Sequence, residues 1–123
     1  METLCDGVKG IVRRNDHILV LVKPNGTLDL PGGRVENGET IKSALLREID
    51  EETSLKVEIH DPVEEWSFYK TPNRLIKGLT LDCAYIEGNV KLCGEHKGYF
   101  WAAIDRINHL IFNRNFLKNL KFS

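Results

Sequence analysis

Gly33 to Leu55 reads GRVENGETIKSALLREIDEETSL, and its acids stand where a helix is least able to hold them. Ile41, Ala44, Leu45 and Ile49 recur at helical spacing, and Thr40 is suited to cap a helix over about Thr40 to Thr53. Glu48, Asp50, Glu51 and Glu52 crowd the end of that helix. The carbonyl end carries partial negative charge, so each acid there is unfavourable by roughly 0.3–1 kcal/mol. Glu48 with Glu51 and Glu48 with Glu52 are also like-charged at i,i+3 and i,i+4, adding ~0.2–0.5 kcal/mol per pair. Those spacings put the three glutamates on one helix face. A cluster that costs stability and points one way predicts a bound cation. Oxygen donors with no His or Cys nearby in the sequence indicate Mg²⁺ or Mn²⁺ rather than zinc.

Gly33, Glu39, Arg47-Glu48, the aliphatic Ile49, Glu51-Glu52 and the aliphatic Leu55 follow the pattern of the Nudix box, and the segment closely resembles that family. One position departs, where Ser54 replaces a glycine. The resemblance implies an α/β fold, a mixed β-sheet sandwiched between α-helices. It would form one Nudix domain over residues 1–123, with the box at 33–55. It also implies hydrolysis of a nucleoside diphosphate linked to another group, X, with Mg²⁺ as cofactor and Mn²⁺ able to substitute.

The bulk numbers agree with a small enzyme. The chain has 123 residues, is 41% hydrophobic and carries a net charge of −1. That suits one domain with a real core and excludes a basic field able to hold long nucleic acid. The expected partner is a small nucleotide, handled by a monomer or homodimer. The opening METLCDGVKG lacks a basic-then-apolar leader pattern, and no apolar run is long enough to span a bilayer. Cys5, Cys83 and Cys93 are odd in number and irregularly spaced, which argues against a secreted disulfide framework and for the cytoplasm. Cys93 and His96 have ligand-like spacing, but a lone pair of this kind reads as loop and packing.

Gly7 to Arg13 and His17 to Lys23 are β-rich runs around Arg14-Asn15-Asp16, predicting a hairpin. Leu28-Asp29-Leu30 is a short strand feeding Pro31-Gly32-Gly33, where glycine allows close backbone approach to a ligand. Past the helix, Leu55 to Ile59 and Trp66 to Lys70 read as strands separated at Pro62. Leu75 to Ile86 and Tyr99 to Ile104 read as two more, and Ile107 to Leu120 as a terminal helix or two.

By resemblance, Glu48, Glu51 and Glu52 ligate the metal, the Gly33 carbonyl adds an oxygen, and Arg47 orients a carboxylate. Glu39 serves either as a cap and salt-bridge partner or in a metal-linked catalytic role. Glu95-His96-Lys97-Gly98-Tyr99-Phe100-Trp101 resembles the family segment whose loop glutamate binds metal or acts as general base, which makes Glu95 a candidate and Glu87 a weaker one. His96 reads as an exposed loop histidine. Arg34, Lys23 and Arg74 are candidates for substrate phosphates. Trp66, Phe68, Tyr69 and Trp101 are candidates for stacking on a base, with Tyr69 taken into the substrate site. Asn115, with Asn113, is a candidate for reading a purine edge.

The leading reading is a MutT-like pyrophosphohydrolase of nucleoside triphosphates. The alternatives are hydrolysis of ADP-ribose or dinucleoside polyphosphates, and a non-catalytic nucleotide-binding regulator. Pro72 and Tyr69 lie near the positions that mark subgroups without matching either. The full set of box carboxylates argues against the regulator, and the absent basic surplus argues against decapping of RNA.

Overall fold

The structure is a computed structural model that describes residues 5–109. Strands β1 (Gly7–Arg14) and β2 (His17–Val22) form the expected antiparallel hairpin. Its turn holds Asn15 at φ 55°, a left-handed conformation that asparagine tolerates better than most residues. Strand β3 (Leu28–Asp29) pairs with β2, and β4 (Gly32–Arg34) pairs with β1. Helix α1 (Ile41–Thr53) follows, then β5 (Lys56–Thr71), β6 (Arg74–Glu87) and β7 (Gly98–Ala103). The sheet order is β3-β2-β1-β6-β5, with β4 also on β1 and β7 on β2. The β1–β6 pairing is parallel and the others are antiparallel, so the sheet is mixed, as expected.

Both faces of the central strands are buried, which is why residues 18–22 of β2 read as an unbroken apolar run rather than an alternating one. Val8, Val12, Leu19 and Leu21 point to one face, where Ala44, Leu45 and Ile49 of α1 cover them. Ile11, Ile18 and Val20 point to the other, where they meet Leu30, Ala102 and Ile107. Burying Leu45 and Ile49 contributes about 1.5–3 kcal/mol each. This outweighs the ~0.3–1 kcal/mol cost of each acid at the end of α1. The helix therefore persists with its acids held at the sheet edge.

Two expectations are revised. The two segments read over Leu55 to Ile59 and Trp66 to Lys70 merge, Leu55 apart, into one strand, β5, because Pro62 does not end it. Pro62 instead sits opposite Leu81 between two register shifts, a bulge that tolerates the missing N–H while the ladder resumes. The terminal helix read over Ile107 to Leu120 is described only at its start, as a 3₁₀ turn over Ile104–His109. Its remainder lies outside the described residues. No helix among the described residues is long and apolar enough to cross a membrane.

Candidate functional site

Helix α1 starts as its sequence suggests. Thr40 accepts the Ser43 N–H through its side chain, and the Ser43 hydroxyl accepts the Thr40 N–H in return, each at 3.0 Å. From this fixed start the helix carries Arg47, Glu48, Glu51 and Glu52 to the start of β4. Gly32 there has φ 148°, and any side chain at it would strike the backbone of Val8 and Lys9. A Cβ on Gly33 would fall onto the Glu48 carboxylate, so two glycines let the strand and the acid face of the helix meet.

Glu52 anchors this contact. Its Oε1 accepts the Gly32 N–H at 2.8 Å. Burial pushes its carboxyl up to about 7, against the opposing pull of the Gly32 N–H, Lys9 and His96, while Glu48 adds like-charge repulsion. Burial also raises the Glu48 carboxyl, with Arg47 pulling the other way. Two carboxyls whose charge is disfavoured by burial and by like-charged neighbours fit a site for a divalent cation. Glu51 is exposed and turns to Arg47 instead, at 3.4 Å. Among the described residues, no three His, Cys, Asp or Glu side chains already form a complete metal-ligand set.

Arg47 organises the rest of the helix face. Its Nε and Nη2 donate to the two oxygens of Glu39 at 2.7 and 2.9 Å, and Nη2 also donates to the Arg34 carbonyl at 2.9 Å. Nη1 lies 3.6 Å from Glu48 Oε1. The guanidinium thus clamps the loop after β4 onto α1. It holds the Glu39 carboxyl down at about 2, while Glu39 raises Arg47 in turn. Glu39 Oε1 also accepts the Glu36 N–H at 2.9 Å. Glu39 is thus salt-bridged to Arg47.

A second cluster was not legible in the sequence. Asp29 is buried between the apolar Leu28 and Leu30, with only 3% of its surface exposed. It pairs with Lys9 at 3.0 Å and more loosely with Lys23 at 3.9 Å, and its Oδ1 accepts the Leu30 N–H. Although burial opposes it, hydrogen bonding from His96 and the charges of Lys9 and Lys23 leave its carboxyl below the usual range. His96 is no exposed loop histidine: its side chain is 6% exposed and points inward. Nε2 lies 3.5 Å from Asp29 Oδ2, and Nδ1 lies 3.8 Å from Glu52 Oε2. The local sequence gives no hint of this, because β2–β7 pairing is what delivers the His96 loop to Asp29. An acid between two leucines in a strand is the one signal that could have drawn notice to Asp29, and it says nothing of its partners.

Next to these residues opens a cleft of ≈ 550 Å³. Lys9, Lys23, Arg34, Lys70 and Arg74 line it, along with Asp6 and Asp29. It is positively charged within a chain of net charge −1. Trp66 and Phe68 form one wall, their rings stacked at 6.2 Å and 13°. The indole fits because its neighbours in register are small: a Cβ on Gly78 would strike it and one on Gly7 would crowd it, while Nε1 donates to Thr80 at 3.1 Å.

Of the residues singled out earlier, the structure gathers Gly33, Arg34, Lys23, Arg74, Glu48 and Glu52 around this cleft and its edge. Tyr69 is 69% exposed and is not part of the cleft lining, as strand alternation beside Phe68 and Lys70 requires. Trp101 packs edge-on against Tyr85, and Arg14 lies over both rings. Glu95 and Glu87 are exposed. Asn113 and Asn115 lie outside the described residues.

A family model described as NUDIX domain matches residues 4–120. A MutT-like protein of Streptomyces ambofaciens is 33% identical over 103 residues, covering 82% of this chain and 65% of that protein. An ADP-ribose pyrophosphatase of Methanocaldococcus jannaschii is 35% identical over 83 residues, 64% of this chain and 47% of that protein. The chain thus spans under two thirds of the length of each of these relatives. Among solved structures, the MutT protein of Methanosarcina mazei Go1 superimposes with a TM-score of 0.78 at 25% identity, covering 92% of this chain and 86% of that one.

Proposed function

This chain belongs to the Nudix family, and from that premise we propose that it is a divalent-metal-dependent pyrophosphohydrolase of small nucleotides. Its preferred substrate class is the nucleoside triphosphates, cleaved with water to a nucleoside monophosphate and pyrophosphate. The observation that carries this is the convergence of Glu48 and Glu52 on Gly32 and Gly33, where β4 begins at the edge of a cationic cleft. A volume of ≈ 550 Å³ lies within the range of small-ligand sites, roughly 300–1,000 Å³. Similarity to the MutT-like protein and to the solved MutT structure supports the same reading.

Glu48 and Glu52 would hold the metal, Mg²⁺ or Mn²⁺ in its place, with Glu51 and the Gly33 carbonyl as further oxygen donors. Held there, the ion would supply neutralisation of phosphate oxygens and a lower pKa for water, answering the main obstacles to attack on an anionic phosphorus. The protein supplies the rest. Arg47 keeps the loop after β4 and the acid face of α1 in one geometry by gripping Glu39 and the Arg34 carbonyl. Lys9, Lys23 and Arg34 set positive charge along the path of the phosphates. Glu95 is the proposed general base. Free cysteines at 5, 83 and 93 accord with a cytoplasmic setting.

ADP-ribose is the second reading, favoured by the relative named for that activity. A panel of nucleoside triphosphates, ADP-ribose and dinucleoside tetraphosphates, assayed with Mg²⁺ and with Mn²⁺ for released phosphate and pyrophosphate, separates the two. Pyrophosphate from triphosphates is the expected result. Turnover confined to ADP-ribose would replace the substrate class, and binding without turnover of any member would replace the enzyme by a nucleotide-binding regulator.

A further inference from the structure

We infer that His96 supplies an imidazole nitrogen, Nδ1, to the divalent-metal site beside Glu52, and that this tilts the site from Mg²⁺ toward transition ions such as Mn²⁺. The inference rests on the reading of Glu52 as a metal ligand and adds to it a donor of a different chemical class. Among the described residues, His96 Nδ1 is the buried side-chain nitrogen or oxygen left without a hydrogen-bond partner. Its side chain is 6% exposed, so bulk water does not reach it.

The neighbours decide what that nitrogen is. Asp29 is paired with Lys9 at 3.0 Å, so its carboxylate only accepts. The Asp29 Oδ2 facing Nε2 at 3.5 Å therefore draws the imidazole proton to Nε2. In a neutral ring this leaves a lone pair on Nδ1. Across from it, Glu52 has committed Oε1 to the Gly32 N–H and turned Oε2 toward His96 at 3.8 Å. With the ring neutral and Glu52 ionised, as a metal ligand must be, two acceptors face each other across that gap. Their separation is one that two metal–ligand bonds of roughly 2 Å each can span. A histidine that gives one ring N–H to a carboxylate and offers the other nitrogen forward is the usual arrangement of a metal-ligating imidazole, with Asp29 fixing tautomer and ring orientation.

The donor set then bears on metal choice. Carboxylate and carbonyl oxygen suit Mg²⁺ and Mn²⁺ alike, whereas imidazole nitrogen is accepted far more readily by transition ions. The sequence, with no histidine near the glutamates, pointed to Mg²⁺ with Mn²⁺ able to substitute. The fold brings one in.

Tag-free protein titrated with Mn²⁺ alone and studied by electron spin-echo spectroscopy tests this directly. Nitrogen modulation from a coordinated imidazole is expected in the wild type and should vanish in His96→Gln. Calorimetry should show Mn²⁺ affinity falling ~10–100-fold in His96→Gln while Mg²⁺ affinity changes less than about threefold. If His96→Gln does not fold, wild-type protein labelled with ¹⁵N-histidine decides, because the label must alter the modulation. Bound Mn²⁺ without nitrogen modulation would overturn the inference and leave the Glu52 reading standing. Equal losses of Mg²⁺ and Mn²⁺ would also overturn it, making His96 a positioning residue for Glu52. Failure of the wild type to bind Mn²⁺ at all would remove both readings.

Discussion

Ser54 ends α1 with φ 63° and ψ 13°, its N–H bonded to the Asp50 carbonyl at 2.9 Å. This is the left-handed helix exit that favours glycine, and for an ordinary side chain it costs roughly 1–2 kcal/mol. Glycine escapes that cost but surrenders more backbone freedom on folding, which returns about 0.4–1 kcal/mol. Ser54 is exposed, so trimming it sacrifices no buried packing. The balance makes Ser54→Gly more stable by roughly 0.5–1 kcal/mol. With a urea slope of about 1–3 kcal/mol per molar, the unfolding midpoint should rise by ~0.2–1 M. Ser54→Ala keeps the Cβ and should gain nothing. Urea titrations of the three proteins, followed by tryptophan fluorescence, make the comparison. A glycine variant no more stable than the wild type, or an alanine variant that gains as much, would refute the conformational argument.

Glu39→Gln tests the Arg47 clamp through pH. The Glu39 carboxyl is held at about 2 in the folded protein against an ordinary 4.5, so its pair with Arg47 stabilises the fold above pH ~4.5 and is lost as pH falls toward 2. The gap in urea midpoint between wild type and variant should be widest near neutrality, close on acidification and shrink in salt; a gap independent of pH would contradict it. Glu52→Gln keeps an acceptor for the Gly32 N–H while removing a buried charge. Stability should hold or rise while turnover drops ~10²–10³-fold, and near-normal turnover with metal would reject Glu52 as a ligand. Glu95→Gln should lower kcat more than it raises KM and should displace the acidic limb of the pH–rate profile. If neither moves, the base is one of the box glutamates.

Much of this protein follows from signals that act over a few residues. The apolar stripe of α1, the Thr40 cap and the Asn15 turn all formed where their residue types indicated, because helix spacing, capping and turn geometry are local. The acids at the end of α1 were legible for the same reason: their cost to an isolated helix shows without knowledge of any partner. Pro62 misled because its effect depends on pairing, and a bulge opposite Leu81 preserves a strand that the chain alone seemed to break.

What only the tertiary structure decided is which distant residues face the glutamates. Lys9, Asp29 and His96 come from β1, β3 and the loop before β7, and sheet register alone sets them together. Strand alternation likewise admits Trp66 and Phe68 to the cleft and turns Tyr69 away. A lone histidine in a polar loop carries no mark of burial in its own sequence. Burial is a property of what packs over it, and that is settled between segments rather than within one.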